Sequence, residues 1–196
     1  MNTADEQNQI IEACRAHLSS QADRDDKAIE VLVLKRHSDS GLTVQQLPVP
    51  DKLWALYPPD TVLTALADAA VLLGTAATAD TAAIALSYEG LAIAEDASPQ
   101  ADEAIRRHAA GGSIPLPSEI PGHIRQRFVS AIDRHCCHYL VSVDQPHEEG
   151  AAPAVGLAIA DSEVSGRAAE ALTTFAKAIW PHLAGGHGAA AAQDDL

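Results

Sequence analysis

His135-Cys136-Cys137-His138 places four donors of two zinc-favoured types in succession. Spacing argues against a metal site. Consecutive residues on a strand point to alternate faces, whereas a tetrahedral site needs converging ligands, and the Cys-x2-Cys and His-x3-His offsets are missing. The expectation is small buried cysteines beside ordinary strand histidines. Two weaker alternatives are a metal held by His135, Cys136, Cys137 and His138 at a sharp turn, and a redox pair at Cys136-Cys137, whose vicinal disulfide would strain its peptide unit.

Other motif matches are incomplete. His147-Glu148-Glu149 begins like a zincin motif, but residue 151 is Ala where a second histidine is required. Gly186-His187-Gly188 mimics a dinucleotide fingerprint, yet it follows a helical pattern rather than a strand. The chain has no Gly-Lys-Ser/Thr phosphate loop and no Gly-x-Ser-x-Gly elbow. No cofactor is expected, and the balance leans away from an enzyme.

The remaining candidate is a polar strand face. Arg125 and Arg127 are two residues apart and point the same way on a strand, and their planar guanidinium forks suit a carboxylate or phosphate. His123 continues that face, and His138 is expected across a hairpin. Glu89 joins the set because it sits at an irregularity, Glu89-Gly90, and bulges often re-aim a side chain beside a site. The plain alternative is a solvated face for the arginines and histidines, and a surface turn residue for Glu89.

These residues need elements to hold them. Ile10, Ile11, Cys14 and Leu18 repeat at helical spacing, so residues 4–19 form an amphipathic helix, with Thr3 and Glu6 as a capping box. Ile29 to Lys35 is apolar on both faces and reads as an interior strand, pairing with Leu42 to Leu47 across the turn residues His37 to Gly41. A short helical turn surrounds Leu53 and Trp54. Pro58-Pro59-Asp60 then opens a helix whose stripe is Val62, Leu66, Ala69 and Leu73, and Gly74 closes it.

Ile84, Leu86 and Tyr88 alternate, Leu91 and Ile93 alternate in the opposite phase, and the change predicts a bulge or a tight turn at Glu89-Gly90. Residues 99–110 form a short helix with a weak stripe of Ala101, Ile105 and Ala109. A proline-stiffened loop, Ser113 to Gly122, follows. His123 to Ile132 and Cys136 to Val143 read as strands; an even-length loop places Ile124, Phe128 and Ile132 with Cys137, Tyr139, Val141 and Val143, leaving His123, Arg125, Arg127, His138 and Ser142 opposite. Gln145 to Pro153 is a loop, Val155 to Ala160 a strand, and Val164, Ala168, Leu172, Phe175 and Ile179 mark a C-terminal helix ended by Pro181. The expected fold class is α+β: a mostly antiparallel sheet of five to six strands with helices packed against it, including N- and C-terminal helices. Residues 1–183 are expected to form one domain, with 184–196 a disordered Gly/Ala-rich acidic tail.

Composition sets the partner classes. A length of 196 residues with 47% hydrophobic residues supports an independent core, and four lysines against nine arginines with abundant alanine suggest a high-GC genome. A formal charge of −14 disfavours nonspecific attraction to nucleic acid or anionic lipid. No basic region with an apolar stretch opens the chain, no run is apolar enough to span a bilayer, and three cysteines with a vicinal pair make no secreted framework. A soluble, cytoplasmic protein is expected, without nucleic-acid or membrane partners; the sequence leaves its oligomeric state open.

Ala83 to Ile93, read Ala-Ile-Ala-Leu-Ser-Tyr-Glu-Gly-Leu-Ala-Ile, together with Pro121 to Gln145, resembles a loose class of uncharacterised small α+β proteins from high-GC bacteria and their phages. The resemblance covers about a fifth of the chain. It implies an aromatic-Glu strand followed by an Arg-containing strand and hairpin, and no activity. The leading expectation is a non-enzymatic protein-interaction or regulatory module with a protein partner. The alternative is a small anionic-ligand-binding protein, or an unrecognised enzyme, using the Arg125/Arg127 face.

Overall fold

Glu30–Arg36 (β1) carries apolar side chains on both faces, and the structure, a computed structural model, accordingly buries both. It describes residues 3–21, 29–37, 41–93, 98–109, 119–144, 155–160 and 167–180. The elements in order are α1 (Thr3–Ser20), β1, β2 (Leu42–Leu47), α2 (Asp51–Leu56), α3 (Pro59–Leu73), β3 (Thr81–Ile93), α4 (Pro99–Ala109), β4 (His123–Asp133), β5 (His138–Asp144), β6 (Val155–Ala160) and α5 (Arg167–Ile179). The strands make a six-stranded antiparallel sheet in the order β2-β1-β3-β4-β5-β6. This is the α+β fold that the hairpin pattern predicts.

Strand alternation divides the core between two layers. Ile10, Cys14 and Leu18 of α1, one helical turn apart, pack on Leu32, Leu34, Ala83, Ala85, Val129, Ala131, Tyr139 and Val141. On the other face, Leu63, Ala67 and Ala70 of α3 and Leu172, Phe175, Ala176 and Ile179 of α5 pack on Val31, Ile84, Leu86 and Ile132. Burying each of these larger apolar side chains stabilises the fold by about 1.5–3 kcal/mol.

Helix ends follow local chemistry. Pro58 and Pro59 fix the entry to α3. At its exit Gly74 adopts φ 62° and ψ 29°, while Gly74 N–H reaches Val71 O at 3.2 Å and Thr75 N–H reaches Ala70 O at 2.8 Å. This is a Schellman ending. Ser98 caps α4 by accepting the Ala101 N–H at 3.0 Å, and its hydroxyl donates to Pro121 O at 2.9 Å. Buried Ala101 and Ala104 pack on Ile120.

Four expectations require correction. The carboxylate of Glu6 does not close a capping box but pairs with Arg36 and Arg134, tying α1 to β1 and to the β4–β5 turn. The buried stripe of α3 is Val62, Leu63, Ala67 and Ala70, with Leu66 only partly covered and Leu73 exposed, because α3 rolls its Leu63 side onto the sheet. β3 runs through Glu89-Gly90 with neither bulge nor turn, in unbroken register with β4 from Ala83↔Asp133 to Ile93↔His123. The apolar phase changes because both sides of the sheet carry helices; the irregularity in β3 lies near Ala82, opposite Leu34/Lys35. Gly90 serves a ring instead: a Cβ there would lie 3.2 Å from Phe128 Cε2, and Phe128 stacks on Tyr88 at 5.5 Å.

The fourth correction concerns β4 and β5. Ile132 pairs with His138 and Phe128 with Ser142, so five residues separate the paired ends rather than an even number. Ile132 and His138 therefore share one face while Val129, Tyr139 and Val141 share the other. Both faces are apolar, so alternation alone has no polar phase with which to choose a register. The side chains of Arg125, Ile124, Ile105 and Ala109, turn residues 38–40, loop residues 113–118 and 145–153, Val164 and the 184–196 tail lie outside the described residues.

Candidate functional site

Glu89 and Arg127 are direct register partners on the α1 side of the sheet, with Leu91↔Arg125 and Ile93↔His123 beyond them. Arg127 is 4% exposed and its Nη1 donates to Gln21 O at 3.4 Å, just past the end of α1. A guanidinium there satisfies a terminal carbonyl and opposes the negative end of the helix dipole. Buried Glu30 and Ser87, paired across β1 and β3, share this side, and Glu30 Oε2 holds His17 Nε2 at 3.0 Å. The polar groups under α1 thus fasten a helix to a sheet.

His123 and His138 do not join them. His123 is exposed and its Nδ1 donates to Ile120 O at 2.9 Å, bracing the turn before β4. His138 points through the opposite face to α5, where Nε2 lies 3.2 Å from Thr173 Oγ1. That hydroxyl already donates to Ala169 O at 2.8 Å, so it accepts from Nε2–H and leaves Nδ1 as the bare nitrogen, buried with no hydrogen bond to it among the described residues. Burial lowers the His138 pKa, partly offset by the charge of Asp133. His138 is therefore split from His123 and Arg127 onto the other side of the sheet, and among the described side chains of the expected set the register brings Glu89 and Arg127 together.

The His135-Cys136-Cys137-His138 turn is organised by a residue that motif reading missed. Asp133, 3% exposed, accepts from the His135 and Cys137 amides at 2.8 and 2.9 Å through Oδ1, and from the Tyr139 hydroxyl at 2.7 Å through Oδ2. Burial and Asp133 push the Tyr139 pKa up, keeping the hydroxyl a donor. Cys136 adopts φ 64° to close the turn. His135 and Cys136 are exposed, Cys137 packs beside the α1 core, and His138 leaves by the other face. The turn scatters the four candidate ligands, and among the described residues no three His, Cys, Asp or Glu side chains are grouped to hold a metal ion. All three cysteines are free thiols, and burial pushes Cys14 up to about 12.

One open feature among the described residues is apolar. Between the C-terminal half of α3, the Thr75–Thr81 segment, the end of α5 and β1–β2 runs a groove of about 380 Å³, walled by Val33, Leu47, Leu66, Ala69, Leu73 and Ile179. Its lip carries Leu73, 80% exposed, and the neighbouring Val71 and Leu72 at the end of α3 are 66% and 84% exposed. Ala77 N–H donates to Ile179 O at 2.8 Å and holds one wall in place, while Lys35 Nζ lies 3.9 Å from Asp80 Oδ2 at the mouth. The sequence signal was Ala69-Ala70-Val71-Leu72-Leu73, apolar around the whole helix, so that one flank must face outward. A second cleft, about 360 Å³, lies between α4 and residues 119–120 and is lined by Glu103, Arg107 and Glu119.

Comparison with protein families, curated proteins and solved structures gives no match. Among the described residues, no helix is long and apolar enough to cross a membrane.

Proposed function

We propose that this protein is a protein-interaction module whose docking surface is the groove between α3 and the β1–β2 hairpin. The observation that carries this reading is the lip, because Leu73 walls an unfilled apolar groove while largely in water, and the adjoining Leu72 is exposed as well. Contiguous exposed apolar surface of this kind marks interaction sites in soluble domains. The groove's size also lies in the range of pockets that seat side chains or small molecules.

The anionic-ligand alternative has less support. Arg127 is buried, stands opposite Glu89 and donates to the end of α1, so its guanidinium serves packing already.

A photoreactive residue at position 72, expressed in the native host, tests the groove. Discrete adducts of defined mass are expected, and they should disappear when Ala69→Phe plugs the groove in a chain with unchanged circular dichroism. Adducts that persist in the plugged variant, or match those formed from a control position at Glu12, would refute the assignment.

A further inference from the structure

We infer that the occupant of this surface is an extended, basic segment of a partner protein, which joins the sheet as a new strand beside β2 and rests alternate side chains against the groove. This deepens the docking reading and rests on it. β2 is the end strand, and it pairs with β1 in unbroken register from Val31↔Leu47 to Arg36↔Leu42.

The direction of its backbone groups follows from two bonds. His37 N–H donates to Gly41 O at 3.3 Å, whereas Arg36 N–H turns away, to Asp80 O at 2.8 Å. By antiparallel alternation Thr43, Gln45 and Leu47 exchange hydrogen bonds with β1, and Leu42, Val44 and Gln46 aim their N–H and C=O outward. Among the described residues no backbone group meets them. Exposed edges are ordinarily blunted by lysine, proline or a bulge. Leu42-Thr43-Val44-Gln45-Gln46-Leu47 has none of these.

The edge and the groove are continuous. Leu47 belongs to β2 and also lines the groove, and Thr43 and Gln45 share its face of the sheet, both exposed because α3 does not reach over them. An added strand about 4.8 Å beyond β2 would present every second side chain to that uncovered strip.

Charge selects the partner. No lysine or arginine occurs between Lys52 and Arg106, a stretch that includes all of α3 and β3. Asp60 is paired with Arg167 at 2.8 Å and Asp80 lies near Lys35, but exposed Asp68, on α3, takes part in no ion pair among the described residues. With −14 on the whole chain, the long-range field attracts cationic segments and repels a second copy.

The probe is a synthetic ten-residue peptide alternating valine with threonine, with a lysine pair at each end. Its anisotropy should saturate on titration, and amide exchange at Leu42, Val44 and Gln46 should slow. Methylating the peptide's alternate amides should weaken binding at least about tenfold, as should Gln46→Pro, which removes an outward N–H that β1 does not use. Equal binding by the methylated peptide or by Gln46→Pro would overturn strand addition while leaving the groove, tested separately at position 72, standing. No saturation at millimolar peptide, or equal binding when glutamates replace the lysines, would overturn the basic extended partner. A dimer in sedimentation that Gln46→Pro abolishes would make the occupant a second copy and overturn the proposal.

Discussion

Arg127 shows how little a side chain's chemistry says about its use. The Arg-x-Arg spacing placed both residues on one strand, β4, but whether Arg127 faced water depended on α1, whose Gln21 carbonyl receives the guanidinium. His138 carries a consequence that can be measured. Its ordinary pKa is about 6.5, and in the folded chain burial beside Thr173 lowers it. Between the two values the unfolded chain binds more protons than the folded one, so stability is lost as pH falls through about 6.5 towards the lower folded value. The Tm should drop on acidification from pH 7.5 to 5, and His138→Gln, which keeps a donor for Thr173, should make that drop shallower. Equal slopes for the two proteins in calorimetry would show that His138 has no such part.

Features fixed by neighbouring residues were the ones the sequence specified best. The apolar stripe of α1, the β1–β2 hairpin and the Gly74 end of α3 follow from residues within a few positions of each other. What failed was long-range. The register of β4 on β5 depends on the Asp133 turn and on two buried faces, and the roll of α3 depends on α5 beside it. Gly74 permits a direct test of the local part. Its φ of 62° is unfavourable for any residue with a Cβ, while a Cβ there would meet nothing within 4 Å, so Gly74→Ala isolates the backbone cost. A loss of about 1 kcal/mol, or about 2–4 °C in Tm, is expected in thermal unfolding.

Across the whole molecule, charge and apolar surface are distributed unevenly: among the described residues the exposed large apolar side chains of this acidic chain lie at the end of α2, at Leu56 and Tyr57, and at the end of α3, at Val71, Leu72 and Leu73. Leu72→Ser with Leu73→Ser removes side chains that make little buried contact, so unfolding free energy should stay within about 0.5 kcal/mol of the parent. Binding of an apolar dye such as anilinonaphthalene sulfonate should fall in the same variant. A loss of several kcal/mol in urea would place these leucines in the core instead.

The two faces of the sheet are also unequally cushioned. Under α1 the central strands present Ala83, Ala85 and Ala131, all fully buried, where the opposite face has Ile84, Leu86 and Ile132. Three methyl groups thus lie beneath α1 beside Leu32, Leu34, Val129, Tyr139 and Val141, while Glu6 near its start and Gln21 just past its end are tethered to Arg36, Arg134 and Arg127. A branched side chain at any of these alanines would act as a wedge beneath a beam pinned at both ends. Sequence drift at these three positions is thereby confined to small residues, whereas Ile84, Leu86 and Ile132 on the α3–α5 side can exchange one large apolar group for another.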